Sequence, residues 1–172
     1  MNTLGLFVKQ PLAGRVKTRL GNAIGFQRAA DIYAAFLDDL IPRFARAADR
    51  RFLCYAPATA VDEFQQRADG RYQLWRQPEG DLGGRLQAFF GEHLSGGDDR
   101  VVVIGSDSPT LPTEWIDAAY RQLDNADCVI GPATDGGYYL IGMRRRPWPI
   151  FDGIAWGGAT VLAETVGRLE GV

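Results

Sequence analysis

The chain has 172 residues with 19 basic and 21 acidic side chains, a net charge of −2, and its length suits one domain. Hydrophobic residues make up 46% and charged residues 23%, an ordinary globular balance that argues against disorder, collagen or coiled coil. No apolar run approaches the roughly 20 residues of a membrane span, and the N-terminus carries no charged stretch ahead of its first apolar run, so it reads as a strand and not a signal peptide.

Leu4 to Lys9 is expected to be a short buried strand, followed by a Gly-, Pro- and base-rich loop from Gln10 to Asn22. A helix begins near Gly25. Ile32, Tyr33, Phe36, Leu37, Leu40 and Phe44 recur at three- and four-residue spacing and form one apolar stripe, and Pro42 should end or kink it. Arg51 to Ala56 reads as the second strand. Thr59 is placed to cap a helix through Ala68, with Asp62 and Glu63 in its first turn. Tyr72 to Gln77 is the third strand, Pro78 to Gly84 a glycine-rich loop, and Leu86 to Leu94 a helix. Arg100 to Gly105 holds Val-Val-Val-Ile, apolar on both faces as in a central parallel strand. After the loop Ser106 to Pro112, Thr113 caps a helix to about Asp124. Asp127 to Gly131 and Gly137 to Met143 are strands whose connection is too short for a helical crossover, so they should pair antiparallel or bend sharply apart. Arg144 to Gly158 is irregular, and Ala159 to Leu169 is the last helix.

This alternation predicts a three-layer α/β/α Rossmann-like domain, with a mostly parallel sheet and an antiparallel strand. Ligands in such folds bind beyond the carboxyl ends of the strands. The charge is uneven in a way that fits this placement. Residues 1–30 carry +5 from Lys9, Arg15, Lys17, Arg19 and Arg28 with no acid, and the remainder carries −7. The acidic remainder argues against nucleic acid, and a local basic loop suits a small polyanion such as a nucleotide's phosphates. The 21 glycines exceed a typical share of about 7% and gather in the loops after strands. Cys54 and Cys128 sit far apart in apolar runs, as expected of reduced thiols in a cytoplasmic protein.

Four loops could carry chemistry. The first, Lys9 to Gly21, contains Gly14, Arg15, Lys17 and Arg19. Glycine permits close backbone approach and the cations can neutralise phosphate oxygens, although a solvated basic loop would look similar. The second, Gly105-Ser106-Asp107-Ser108-Pro109-Thr110-Leu111-Pro112, puts an acid just past a buried strand. Asp107 could hold Mg²⁺ or Mn²⁺ on a diphosphate or simply form a turn. In the third, Gly131 to Tyr139, Asp135-Gly136-Gly137 is a strong turn signal. Functionally, the glycines would let a substrate approach, and Asp135 would bind acceptor hydroxyls or metal, or act as a base. In the fourth, Glu79 to Arg85, Asp81 is either a helix cap or part of a pocket wall. His93 lies late on a helix, not on a strand-end loop, and is expected to be structural or solvent-exposed, which disfavours a Ser–His–Asp enzyme. Trp156 is either core or a contact for a sugar or base.

Taken together and in this order, Phe7-Val8-Lys9…Gly14-Arg15-Val16-Lys17-Thr18-Arg19-Leu20, Gly80-Asp81-Leu82-Gly83, Gly105 to Pro112 and Gly131 to Gly142 resemble a bacterial transferase family of glycosyltransferase-A type. That family is described as CofC-like or radical-SAM/selenodomain-associated, and the match spans roughly residues 4–166. The resemblance implies a nucleotide-diphospho-sugar transferase fold, more distantly similar to phospholactate and molybdenum-cofactor guanylyltransferases. It implies nucleotide phosphates at Arg15 and Lys17, more loosely at Lys9 and Arg19, a divalent metal at Asp107, and an acceptor-side loop at Asp135, Gly136 and Gly137. Members of that family usually continue into a further strand with an Asp-x-Asp-Thr segment. The expectation is therefore a single domain over residues 1–172 that either lacks a second metal ligand, is cut short at its C-terminus, or is naturally short.

The expected function is a Mg²⁺- or Mn²⁺-dependent transferase taking a nucleotide-activated donor and a small-molecule acceptor. Glycosyl transfer from a nucleotide sugar is preferred. Nucleotidyl transfer from a nucleoside triphosphate with release of pyrophosphate is the first alternative, and a non-catalytic nucleotide-binding module the second. The sequence sets no oligomeric state.

Overall fold

The computed structural model describes residues 1–171. Among them run β1 (Asn2–Lys9), α1 (Thr18–Ile24), α2 (Phe26–Arg43), β2 (Arg50–Ala56), α3 (Val61–Ala68), β3 (Gln73–Arg76), α4 (Leu82–Ser95), β4 (Arg100–Gly105), α5 (Thr113–Gln122), β5 (Cys128–Pro132), β6 (Tyr138–Arg144) and α6 (Val161–Leu169). The strands form one sheet in the order β3-β2-β1-β4-β6-β5. β1, β2, β3 and β4 pair in parallel, and β6 lies antiparallel between β4 and β5. β5 therefore points the same way as the first four strands. The short connection after β5 makes a hairpin, the antiparallel one of the two expected outcomes.

Alternation along the strands builds two cores. Leu4, Leu6 and Val8 of β1, with Leu53, Val102 and Ile104, face Tyr33, Leu37 and Leu40 of α2, Phe64 of α3 and Ile116 of α5. Phe7, Phe52, Cys54, Val101 and Val103 face Leu86, Phe89 and Phe90 of α4, together with Ile150 and Phe151. Each fully buried Leu, Ile or Phe contributes about 1.5–3 kcal/mol. Gly5 lets α4 come close, since a Cβ there would lie 2.7 Å from the Phe89 ring. Among the described residues no helix is long and apolar enough to cross a membrane.

Several boundaries differ from the sequence expectation. The basic loop is shorter than expected, because Thr18–Ile24 winds into a helix after Lys17. Pro42 lies in the last turn of α2, where the helix stops as expected. Thr59 is not a cap, since Ala58–Ala60 form a 3₁₀ turn and Ala60 precedes α3 without a side-chain cap bond. Thr113 is the first residue of α5 and not its cap. α4 begins at Leu82, earlier than apolar periodicity indicates, because the Asp81 carboxylate accepts from the Gly84 amide at 2.8 Å. Hydrogen bonding to the first turn lets helix form across a glycine-rich stretch that has no apolar stripe.

At the amino edge of the sheet, His93 is buried between the rings of Phe52 and Phe89, with centroids 4.4 and 4.3 Å away. Its Nδ1 lies 3.3 Å from the buried carboxylate of Asp98, which also takes two bonds from Arg50 at 3.0 and 3.1 Å. His93 is thus structural. Burial lowers its pKa against the opposing pull of Asp98 and Glu92, with Arg50 adding to the lowering. Its Nε2 is buried with no partner among the described residues, so protonation would create an unpaired N–H. A histidine with a depressed folded pKa contributes stability above its unfolded pKa, and that stability is lost as the unfolded chain takes up protons first. Denaturant midpoints are therefore expected to fall as pH drops below about 6.5, and His93→Gln should flatten that dependence between about pH 6.5 and 5. A wild-type midpoint that stays constant over this range would contradict the assignment.

Candidate active site

At the carboxyl edge, the segments after β1, β3 and β4, the β5–β6 turn and the stretch before α6 enclose a cleft of about 1080 Å³. Lys9, Arg15, Lys17 and Arg19 reach it from the first segment, Asp81 from the third strand's loop, and Asp107 from the loop after β4. Asp135, Gly137 and Trp156 complete the set of anticipated residues that line it.

Two anticipated residues do not line it. Gly14 faces open space with φ of +74° and closes the turn in which the Arg15 amide donates to the Leu12 carbonyl at 3.0 Å. It shapes the turn that leads into Arg15. Gly136 has φ of +87°, and a Cβ there would lie 2.0 Å from the Ala159 carbonyl oxygen. The Leu162 amide donates to its carbonyl at 2.9 Å. The close approach permitted by Gly136 is thus to the segment entering α6, and not to a substrate.

Other residues combine a structural role with a place on the cleft wall. Asp135 Oδ1 accepts from the Gly137 amide at 3.1 Å, making the turn, while the side chain stays exposed at the cleft. Asp81 both caps α4 and lines the cleft. Trp156 is half-buried, its ring 6.4 Å from both Phe151 and Tyr138, so it is a wall with a core side. Arg19 Nη2 reaches across to the Gly157 carbonyl at 3.4 Å.

Lys17 adopts a left-handed backbone, φ 47° and ψ 43°, at the start of α1. That region is uncommon for a residue with a side chain. Its ammonium sits 2.9 Å from Asp107 Oδ1 and 4.9 Å from the centre of the Phe36 ring. Its side chain is 19% exposed and that of Asp107 79%. The anticipated phosphate cation and the anticipated metal ligand are therefore paired with each other.

Four contributors were not anticipated. The Tyr33 hydroxyl accepts from the Lys9 amide at 3.1 Å and lies 2.6 Å from Ser106 Oγ, tying the exits of β1 and β4 together. Burial raises its pKa, against the pull of both hydrogen bonds, so it stays neutral. Gln77 is buried, donating to the carbonyls of Val8 and Cys54 at 3.1 and 2.5 Å and accepting from Arg85 at 3.0 Å. That chain of bonds holds the Arg85 guanidinium at the cleft. The hints in the sequence are a tyrosine within an apolar stripe, and a glutamine and an arginine flanking Gly80-Asp81-Leu82-Gly83.

Among the described residues, no group of three or more His, Cys, Asp or Glu could hold a metal. Asp107 is one exposed carboxylate at the cleft. With so few protein donors, a Mg²⁺ or Mn²⁺ there would need substrate phosphates and water to complete its shell.

The sheet order and the gathering of these loops at one edge are those of the nucleotide-diphospho-sugar transferase fold. The chain belongs to the family described as uncharacterized protein conserved in bacteria (DUF2064), which matches residues 42–158. It is 39% identical to a crystal structure from Desulfovibrio desulfuricans G20, provisionally named a nucleotide-diphospho-sugar transferase, with a TM-score of 0.91 over 98% of this chain and 75% of that one. A nucleotidyl transferase from Methanothermobacter shares 13% identity at a TM-score of 0.63, covering 100% of this chain and 84% of that one. A cytidylyltransferase from Leptospira borgpetersenii shares 11% at 0.58, covering 84% and 60%. These last two share the fold alone. No curated protein matches the sequence.

The two glycines of the hairpin turn should respond differently to substitution. Gly136→Ala combines a positive φ with a clash against backbone and is expected to cost about 1–3 kcal/mol in chemical unfolding. Gly137→Ala meets only the Asp135 carboxylate, at 3.3 Å, and should cost clearly less. Equal effects would refute the docking role given to Gly136.

Proposed function

We propose that the protein is a transferase that binds a nucleotide-activated donor in this cleft and transfers its glycosyl group to a small-molecule acceptor. The observation that carries the reading is a set of uncompensated cations. Lys9, Arg15, Arg19 and Arg85 line the cleft and form no ion pair among the described residues. Cations with no counter-charge, converging where strands end, favour a di- or triphosphate.

In this reading Arg15, Lys17 and Arg19 bind the diphosphate and neutralise the charge that grows on it as the glycosidic bond breaks. Preorganised charge of this kind is usually the largest catalytic term. The acceptor hydroxyl attacks the anomeric carbon, and Asp135 takes its proton. Oδ1 of Asp135 is engaged by the Gly137 amide, which leaves Oδ2 for the hydroxyl. Trp156 and Gly137 form the wall on the acceptor side. Asp107 would hold a Mg²⁺ or Mn²⁺, which when bound supplies further neutralisation of the leaving diphosphate.

Incubation with a panel of nucleotide sugars and nucleoside triphosphates in the presence of Mn²⁺ tests this directly. Free sugar with nucleoside diphosphate is the expected product. Pyrophosphate release would replace glycosyl with nucleotidyl transfer, and tight binding with no turnover of any donor would indicate a binding module. Replacing both Arg15 and Lys17 with Ala should weaken nucleotide binding by at least about 100-fold, from about 1.5–3 kcal/mol for each hydrogen bond to a charged group. Unchanged affinity in isothermal titration would exclude the phosphate role of this loop.

A further inference from the structure

Lys17 differs from the other cations of the cleft. Lys9, Arg15, Arg19 and Arg85 have no carboxylate partner among the described residues, whereas Lys17 is paired with Asp107 at 2.9 Å. The pair is lopsided. The lysine side chain is mostly buried, with its backbone in the left-handed region and its ammonium against the Phe36 ring. The aspartate is 79% exposed, and no other side chain or amide is bonded to its carboxylate among the described residues. An ion pair with one member in water is weaker than a buried one, so its partners can be exchanged once each is offered another charge. Left bare, the Asp107 carboxylate would repel an incoming diphosphate from the same cleft.

We propose that Lys17 is the resident counter-ion of Asp107 before a phosphate ligand binds, and that a diphosphate arriving with a divalent cation exchanges the partners. The diphosphate takes the ammonium of Lys17, and Asp107 is left to the cation that travels with the phosphates. This rests on the reading of the cleft as a phosphate site. The exchange makes anion binding depend on the divalent ion for a local reason. Without the ion, Lys17 is retained by Asp107, and releasing it would expose a carboxylate to the phosphates. Removing the carboxylate should therefore substitute for the metal.

Inorganic pyrophosphate, titrated calorimetrically in EDTA or in Mg²⁺, tests the exchange without reference to any base or sugar. The wild-type protein should bind it at least tenfold more tightly with Mg²⁺. Asp107→Asn should bind metal-free pyrophosphate at least fivefold more tightly than wild type and lose most of the dependence on Mg²⁺. Lys17→Met should weaken metal-free binding, and Asp107→Asn added to it should gain clearly less than in the wild-type background, because only the repulsion, and no ion pair, is then removed. Asp107 is exposed, so its substitution leaves the core intact, and unfolding midpoints check that all variants are folded. The exchange is overturned if Asp107→Asn binds metal-free pyrophosphate no more tightly than wild type, or if its gain is as large without Lys17. Failure of every nucleotide donor to bind, with this pyrophosphate pattern intact, would instead fall on the proposed function and leave the exchange standing.

Discussion

Leu4 to Val8 and Val101 to Ile104 are buried on both faces and lie side by side in parallel, with Leu6 opposite Ile104. Parallel strands buried on both faces need helices above and below, and their carboxyl ends must open at the same edge. The Lys9–Lys17 segment and the Ser106–Asp107 loop leave the sheet from these two neighbours. The parallel pairing makes these exits neighbours, and one buried hydroxyl, that of Tyr33, bonds to both. The pairing of Lys17 with Asp107 follows from that geometry, although 90 positions separate them in the chain. Wherever one of these strands goes, the cation and the acid go with it.

The two edges of the sheet use polar groups differently. At the amino edge, Arg50 and His93 both engage the carboxylate of Asp98, which is fully buried. Such a set holds the fold and has little to offer a ligand. At the carboxyl edge, positive groups outnumber their partners, and the acids there are exposed. Charge left uncompensated is a cost to the free protein that a polyanion can relieve. The contrast between the edges supports placing the chemistry at the carboxyl side.

Glycine is the feature whose meaning changed most between the linear and the folded view. Gly83, in the first turn of α4, lies against the Phe151 carbonyl and the Trp156 indole, and Gly136 against Ala159. Both bring two pieces of the cleft wall together. The excess of glycine therefore serves the assembly of loops on each other as much as the approach of a ligand. Asp135 and Asp81 show the related point that a turn or cap residue can also face a site.

How much was legible follows the range of each interaction. Burial periodicity identified nearly every strand and helix, because it reflects which side chains must leave water and needs only local spacing. The fold class and the loops bearing Arg15, Lys17, Asp107 and Asp135 were legible for the same reason, since strand ends mark the ligand edge. Tertiary structure alone decided that β6 inserts between β4 and β5, that Gly136 docks on Ala159, that Gln77 holds Arg85, and that Lys17 meets Asp107. Each of these depends on two segments far apart in the chain arriving within a few ångströms, and hydrophobic spacing carries no record of which distant partner a polar side chain will find.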